Sequence, residues 1–243
     1  MIDYHIFKSL LNRLIARHVG GNQRPTFFEI ETFYPALQQI TQNFPTIQKE
    51  YQRVMQVVND IPSYHDVDPG EADISNTTKN KWSVFMLYLM GYKPEKNRAL
   101  CPETCRLIAG IPNMMQAFFS ILEPGKSIPR HEGPYLGYLR YHLGLQVPKE
   151  NPPCIWVNDQ KYIWQEGKAV LFDDSWPHQV DNDSTEFRAV LIIDVLRPLP
   201  FFPRMINKFM SNVVAKYFYG RKVMRRIDGT SNITAEAFFE EAK

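Results

Sequence analysis

The chain has 243 residues, a length that suits one domain with helical additions. Its 28 Lys and Arg residues against 26 Asp and Glu residues give a net charge of +2, so no overall positive field favours nucleic acid. The three cysteines cannot all pair with one another, which excludes a disulfide scaffold, and no apolar stretch reaches the length of a membrane span. These features predict a cytoplasmic globular protein.

The first 80 residues are predicted to form a helical region that packs on the core that follows. Apolar residues at helical spacing predict a helix over the first 18 residues, ended by Gly20 and Gly21. A second helical pattern runs from Phe33 to about Val58, and Pro45 must break or restart it. Residues 61–80 are polar and rich in turn-forming residues, which predicts a long loop.

The residue pattern changes over residues 81–200, where short apolar runs alternate with Gly, Pro and Asn. The predicted strands are Trp82–Met90, Met115–Leu122, Gly137–Leu145, Cys154–Val157, Lys161–Trp164, Ala169–Asp173, His178–Val180 and Arg188–Leu196. Many short strands at close spacing favour an antiparallel sandwich or barrel. The predicted fold class is therefore mainly β, with flanking N- and C-terminal helices.

Six polar residues interrupt these apolar strands, namely Ser120, His131, Arg140, His142, His178 and Arg188. Because side chains alternate across a strand, Arg140 and His142 share one face, and Leu139, Tyr141, Leu143 and Leu145 share the other. This pattern favours a cavity that holds an anion, with an exposed polar face as the alternative. Two histidines brought together by a β fold are a plausible metal pair, although such a pair can also be structural or exposed.

Arg188 opens the strongly apolar run 189–193, where an unpaired guanidinium would be costly. It therefore needs a carboxylate, which Arg matches with two parallel hydrogen bonds. Asp173 or Asp174 could supply that carboxylate, and a bound dicarboxylate is the alternative. We otherwise interpret Asp173 and Asp174 as turn residues, or as residues behind the histidine, that orient His178.

Several short segments occur in a fixed order: Ser120-Ile-Leu-Glu-Pro-Gly-Lys, His131-Glu-Gly-Pro, Leu139-Arg-Tyr-His-Leu-Gly-Leu, Trp164-Gln-Glu-Gly-Lys, Phe172-Asp-Asp-Ser, and His178 followed by Arg188. Over residues 82–200 this order resembles the catalytic domain of the aspartyl/asparaginyl β-hydroxylases, which are Fe(II)- and 2-oxoglutarate-dependent dioxygenases. The resemblance implies a double-stranded β-helix of the jelly-roll or cupin-like type. It also implies Fe(II), 2-oxoglutarate as cosubstrate, and dioxygen.

By the same resemblance, His131 and His178 would be the iron ligands. Arg188 would hold the distal carboxylate of 2-oxoglutarate with Ser120, and Arg140 and His142 would contact the cosubstrate. Most such enzymes add a carboxylate ligand two residues after the first histidine, but that place is Gly133 here, as in the resembling family. The preferred site therefore has two histidines, with water in place of the carboxylate.

The reaction implied is hydroxylation of an unactivated carbon, and the β-carbon of Asp or Asn in a peptide or protein is the first hypothesis. A second hypothesis is a lipid A acyl-chain hydroxylase at the inner membrane surface. A third is a non-enzymatic cupin-like binding module, which the absent carboxylate ligand leaves open. Fold and site do not choose among these substrates.

Residues 201–243 are predicted to form a basic helical extension. Residues 195–227 hold eight basic residues and no acidic residue, and Phe, Met and Ile side chains interleave with the cations. One interpretation is a solvated helix packed on the barrel. The other is peripheral contact with an anionic membrane through residues 197–226.

Overall fold

The computed structural model describes the backbone of residues 4–230 and the side chains of residues 9–228, so residues 231–243 of the predicted C-terminal extension lie outside it. Its helices are α1 (Tyr4–Val19), α2 (Ile30–Phe33), α3 (Gln38–Gln42), α4 (Phe44–Val57), α5 (Tyr64–Val67), α6 (Ala72–Ser75), α7 (Glu95–Ala99), α8 (Pro102–Ala109), α9 (Phe201–Phe209), a π-helical segment (Met210–Gly220) and α10 (Arg221–Thr230). Short 3-10 turns cover Gly21–Gln23, Pro35–Leu37 and Pro69–Glu71. Within these residues no helix is both long and apolar enough to cross a bilayer.

The N-terminal helices follow the predicted pattern closely, with one exception. Helix α1 ends before Gly20, whose φ of +96° suits glycine, and Pro45 lies in the first turn of α4. The loop predicted over residues 61–80 is wrong, since α5, a 3-10 turn and α6 lie within it. Local side-chain bonds start these turns: Asp66 accepts the Ser63 N–H (3.2 Å) and Asp68 accepts the Gly70 N–H (3.0 Å).

Over residues 4–230 the β core has ten strands, all paired antiparallel: β1 (Phe27–Phe28), β2 (Trp82–Leu89), β3 (Met114–Leu122), β4 (Ile128–His131), β5 (Tyr138–Gln146), β6 (Cys154–Val157), β7 (Gln160–Ile163), β8 (Ala169–Phe172), β9 (His178–Asp181) and β10 (Arg188–Leu196). The eight predicted strands are present, with ends that differ by at most one residue. The additional strands, β1 and β4, are short, and Pro129 lies inside β4.

Two sheets form from these strands, a six-stranded sheet in the order β1-β8-β5-β10-β3-β2 and a four-stranded sheet in the order β4-β9-β6-β7. The strands from β3 to β10 pass repeatedly between the two sheets, which is jelly-roll topology. The predicted double-stranded β-helix is therefore confirmed, with helices flanking it.

Both faces of the large sheet are covered. The outer face packs against α4 and α8, where Leu143 and Leu191 join Tyr51 and Ile108 in one hydrophobic cluster. The inner face packs against the small sheet in a second cluster, which includes Phe118, Val190 and Val180. Because side chains alternate, the polar residues at 120, 140, 142, 178 and 188 fall on the inner faces, between the two sheets. The functional candidates thus share one interior space.

The helical layer that follows β10 packs against the N-terminal helix. Leu11 and Ile15 of α1 form a small cluster with Leu199 and Met210. Asn207 of α9 fixes this layer to the core, since its Nδ2 donates to the Gly137 carbonyl (2.7 Å). The C-terminal helices are therefore part of the folded unit through the described residues.

We predict that Gly144→Ala destabilises the protein, since a Cβ at this position in β5 would lie 2.3 Å from the backbone carbonyl oxygen of Gln165. Overpacking against backbone costs about 1–3 kcal/mol, which chemical denaturation would measure as a lower free energy of unfolding. Gly110→Ala is the matched control, because its nearest neighbour is the movable amide end of Gln39 at 3.0 Å. Equal stability of the two variants would contradict the close approach at Gly144.

Candidate active site

Two histidines meet where the small sheet pairs β4 with β9. His131 and His178 are register partners, and their ring centroids lie 4.1 Å apart. In each ring Nδ1 lies within hydrogen-bond distance of the backbone carbonyl two residues earlier, Pro129 at 2.9 Å and Trp176 at 2.8 Å. With Nδ1–H donating to these carbonyls, each Nε2 keeps its lone pair for a metal ion.

The surroundings of both rings favour the neutral imidazole. Burial lowers the pKa of His178 to about 3, with the neighbouring His131 as a further cause. Burial also lowers the pKa of His131. Neutral imidazole is the form that binds metal, so neither ring must lose a proton at neutral pH before it can act as a ligand.

Gly133 occupies the place where a third, carboxylate ligand would be expected, and the structure explains why a side chain is absent there. The Gly133 N–H donates to the Asp174 carbonyl (2.8 Å), and a Cβ on Gly133 would lie 2.7 Å from Asp174 Oδ1. Glu132 is exposed. Within residues 9–228, no group of three or more His, Cys, Asp or Glu side chains forms a metal cluster.

Asp174 brings a buried carboxylate into the same space. Its Oδ2 accepts hydrogen bonds from the Tyr138 hydroxyl (2.8 Å) and pairs with Arg140 Nη1 (3.1 Å), while Oδ1 has no hydrogen-bond partner among the described residues. Burial raises the pKa of Asp174 and the Arg140 charge opposes that rise. A buried carboxylate oxygen without a donor is suited to a cation or to a water molecule bound to one.

Arg140 is already engaged by carboxylates of the protein. Its Nε and Nη2 each lie 2.8 Å from the Asp194 carboxylate, in the two-pronged geometry that arginine favours. With the Asp174 contact, this guanidinium has two carboxylate partners. Its predicted contact with the cosubstrate stays a prediction, and the structure places it as the residue that holds Asp174. Asp194 interrupts the apolar run of β10, and that interruption is the sequence signal by which it could have been found.

Arg188 is in the opposite situation. Its side chain is buried, with 1% of the residue exposed, and no carboxylate of the described residues lies within ion-pair distance. Its Nη1 makes a long contact of 3.4 Å to the Ser120 carbonyl, its Nε has no partner, and its Cζ lies 4.5 Å from the centre of the Trp164 ring. Burial lowers the pKa of Arg188 to about 9. The guanidinium is thus an uncompensated cation inside the β core.

The aspartates that could have neutralised Arg188 are bound elsewhere. Asp173 pairs with Arg24 (2.9 Å) and with Arg197 (2.6 Å), and Asp174 pairs with Arg140. The interpretation of Arg188 as a partner of Asp173 or Asp174 is therefore wrong. The interpretation of Asp173 as a turn residue is confirmed, since the Ser175 N–H donates to Asp173 Oδ1 (3.1 Å), and its other carboxylate oxygen binds Arg24 and Arg197. Of the two alternatives for Arg188, a bound carboxylate remains.

His142 and Ser120 complete the polar lining beside Arg188. His142 is buried, and neither ring nitrogen has a hydrogen-bond partner among the described residues. Burial and the charges of Arg140 and Arg188 hold its pKa well below the usual range, so the ring is neutral. Ser120 Oγ accepts a bond from Trp82 Nε1 (2.9 Å). A neutral imidazole and a hydroxyl beside a lone guanidinium can bind an organic anion that also carries a carbonyl group.

The chain is similar in sequence to known hydroxylases. A family model described as Aspartyl/Asparaginyl beta-hydroxylase matches residues 41–198. The ornithine lipid ester-linked acyl 2-hydroxylase of Rhizobium tropici is 38% identical over 190 residues, which cover 78% of this chain and 66% of that protein. The human aspartyl/asparaginyl beta-hydroxylase is 32% identical over 198 residues, which cover 79% of this chain and 25% of that protein.

This chain therefore spans about two-thirds of the Rhizobium relative and a quarter of the human one. Among solved structures, the cupin domain of Schizosaccharomyces pombe Cnp3 matches with a TM-score of 0.30 and 12% identity, covering 35% of this chain and 57% of its own. The family model spans well over half of the sequence and includes both histidines and Arg188. On that match, the chain belongs to the aspartyl/asparaginyl beta-hydroxylase family.

Proposed function

We propose that this protein is an Fe(II)- and 2-oxoglutarate-dependent dioxygenase that hydroxylates an unactivated carbon. The observation that carries the proposal is Arg188, a buried cation without a carboxylate partner among the described residues, placed in the same interior as two neutral, metal-competent histidines. An anionic cosubstrate would supply the missing charge. The names of the relatives, both hydroxylases, support the same class of reaction.

The donor set fits the metal that this chemistry needs. His131 and His178 would hold Fe(II) through Nε2, since their Nδ1 atoms are occupied by backbone carbonyls. The free Oδ1 of Asp174 would balance the charge of the ion across a water molecule, in place of a ligand at Gly133. Arg140 and Tyr138 fix that carboxylate in position. When bound, iron and 2-oxoglutarate supply the dioxygen activation that such a hydroxylation requires.

The residues of the large sheet would orient the cosubstrate. Arg188 would bind the distal carboxylate of 2-oxoglutarate, and the Ser120 hydroxyl would bind the same end. His142, neutral and unpartnered among the described residues, would donate one hydrogen bond toward the bound anion. The apolar walls formed by Phe172 and Trp164 would exclude bulk water, which strengthens each of these interactions.

For the substrate, we propose an acyl chain of a membrane lipid. The relative that is 38% identical is named for 2-hydroxylation of an acyl chain of ornithine lipid. The second candidate is the β-carbon of an Asp or Asn residue in a peptide, which the name of the human relative supports. The two candidates share the iron and cosubstrate site and differ only in the molecule that enters beside it.

We expect His178→Ala to abolish Fe(II)-dependent conversion of 2-oxoglutarate to succinate, because one of two protein ligands is lost. In an expressing host, wild type should yield lipids heavier by one oxygen in mass spectra, and His178→Ala should not. His18→Ala, at an exposed histidine, is the control and should retain full turnover. Undiminished turnover by a folded His178→Ala variant would overturn the iron assignment. Turnover of 2-oxoglutarate without modified lipids would favour peptide substrates over lipids.

Arg188→Met should weaken 2-oxoglutarate binding by roughly 30-fold or more, as expected when one partner of a buried charge pair is removed. The same variant should be as stable as wild type or more stable without cosubstrate, since an unpaired buried charge is replaced by an apolar side chain of similar length. Calorimetric titration with 2-oxoglutarate and thermal unfolding measure the two effects.

Arg197→Met is the matched control for that variant, because Arg197 is equally buried but paired with Asp173. It should lose about 1–3 kcal/mol of stability and keep its affinity for 2-oxoglutarate. If the two variants exchanged these behaviours, Arg188 would be a structural residue and the proposed cosubstrate site would fail.

Asp174→Asn should weaken Fe(II) binding by about tenfold while the fold persists, because the shape is kept and the negative charge is removed. Titration with Fe(II) under anaerobic conditions, or with Mn(II) followed by electron paramagnetic resonance, measures this change. Asp159→Asn is the control, since its carboxylate is exposed and pairs with Arg130. Equal metal affinity of both variants would remove Asp174 from the site.

A further inference from the structure

Helix α9 turns its apolar side toward solvent. Phe202, Met205, Ile206 and Phe209 recur at the spacing of one helix face, and all four are exposed, with Phe202 at 77%. The buried side of the same layer consists instead of Pro203, Asn207, Met210 and Ser211. This distribution is the inverse of that in an ordinary surface helix, which buries its apolar stripe.

The apolar stripe continues into the π-helical segment. Val213, Tyr217 and Phe218 are exposed as well, and Phe218 has 77% of its surface accessible. We call the exposed residues at 201, 202, 205, 206, 209, 213, 217 and 218 the aromatic stripe. A run of exposed apolar side chains of this length on consecutive helical turns marks an interaction surface.

Cations border the aromatic stripe. Arg204 and Lys208, one turn apart on α9, line a cavity of about 280 Å³ together with Phe33. Arg221 and Lys222 at the start of α10 are exposed. Residues 201–227 contain no carboxylate of their own, and the exposed cations Arg204, Arg221 and Lys222 give this segment a positive charge.

We propose that the aromatic stripe and its bordering cations bind an anionic lipid bilayer. Aromatic and apolar side chains that enter the headgroup region, flanked by Lys and Arg that meet anionic lipid, are the combination by which helices lie in a membrane interface. A second copy of the chain fits less well, because face-to-face pairing would bring two sets of like charges together.

The segment that follows His131 connects helix α9, which carries the aromatic stripe, to the candidate active site. The Tyr135 hydroxyl donates to Asn207 Oδ1 (2.6 Å), Asn207 Nδ2 donates to the Gly137 carbonyl, and Arg197 Nε donates to the Leu136 carbonyl (2.9 Å). Residues 132–137 therefore bridge the first histidine and α9. A bilayer on the aromatic stripe would contact the opposite side of α9 from this bridge, because Asn207 lies on the buried side of that helix. Membrane binding itself does not depend on the proposed reaction.

The test is flotation of the full chain with vesicles of phosphatidylcholine alone and with an equimolar mixture of phosphatidylcholine and phosphatidylglycerol. We expect binding to the anionic vesicles that falls as salt is added, and little binding to the neutral ones. Phe202→Ser with Phe209→Ser, and separately Arg221→Glu with Lys222→Glu, should each weaken binding by about tenfold or more. These side chains are exposed, so the variants should fold.

Ile163→Ser is the matched control, since Ile163 is an exposed apolar residue on strand β7, away from the helical layer. It should bind vesicles as wild type does. As a second readout, an environment-sensitive dye on Phe209→Cys should shift toward the blue with anionic vesicles, whereas the dye on Ile163→Cys should not.

Failure of wild type to float with anionic vesicles would overturn the proposal. So would salt-insensitive binding to both vesicle types, or unchanged binding by the Phe202 and Phe209 double variant. A dimer in solution that this double variant converts to a monomer would assign the surface to a second copy instead. Turnover of 2-oxoglutarate without vesicles, measured on the same variants, separates failure of docking from failure of the proposed enzyme.

Discussion

The arrangement of charge between the two sheets governs the organisation of this protein. Among the described residues, four arginines and three aspartates are buried, or nearly so, in the β core and at its edge: Arg24, Arg140, Arg188, Arg197, Asp173, Asp174 and Asp194. The aspartates are bound to three of the arginines and leave the fourth alone. Burying an unpaired guanidinium is unfavourable, so Arg188 leaves the charge balance of this interior incomplete. A dianionic ligand at Arg188 would complete it, and binding would then stabilise the core as well as the ligand.

Much of the β core could be predicted from sequence, because the strands are short, apolar and well separated. The alternation of Arg140 and His142 with Leu139 and Tyr141 was enough to predict that the leucine and tyrosine face of β5 is packed, and it favoured a cavity on the other face. The requirement of Arg188 for an anion also followed from its apolar neighbours. The iron-binding and cosubstrate roles of the six polar residues stay predictions.

The identity of the ion pairs could not be predicted in the same way. Asp173 bonds to Arg24, a residue 149 positions earlier in the chain, and that contact exists only because β1 pairs with β8. Strand β1 has two residues, too few for a period to be detected. The role predicted for Asp174, to orient His178, was based on its neighbours in sequence. Its side-chain contacts instead come from Tyr138 and Arg140 of β5, across the interior. Local patterns therefore predicted the elements, and long-range packing chose the partners.

The absence of a side chain at Gly133 makes room for the carboxylate of Asp174. The side chain absent beside His131 leaves the space that Asp174 occupies from another part of the chain, and the Gly133 N–H to Asp174 carbonyl bond keeps the two in register. A carboxylate held by Arg140 and Tyr138 is more rigid than one at the edge of a loop. It also belongs to a network shared with β10, so the environment of the histidines depends on both sheets.

The π-helical segment Met210–Gly220 has a geometric consequence for the outer surface. Phe209 and Phe218 are nine residues apart, which is about two and a half turns of α-helix and would put them on opposite sides. The wider turn of a π-helix, with its i to i+5 bonds, takes about one residue more, so nine residues make close to two full turns. The change of pitch therefore brings Phe218 back into line with Phe209, and a rare backbone conformation keeps the row of rings continuous.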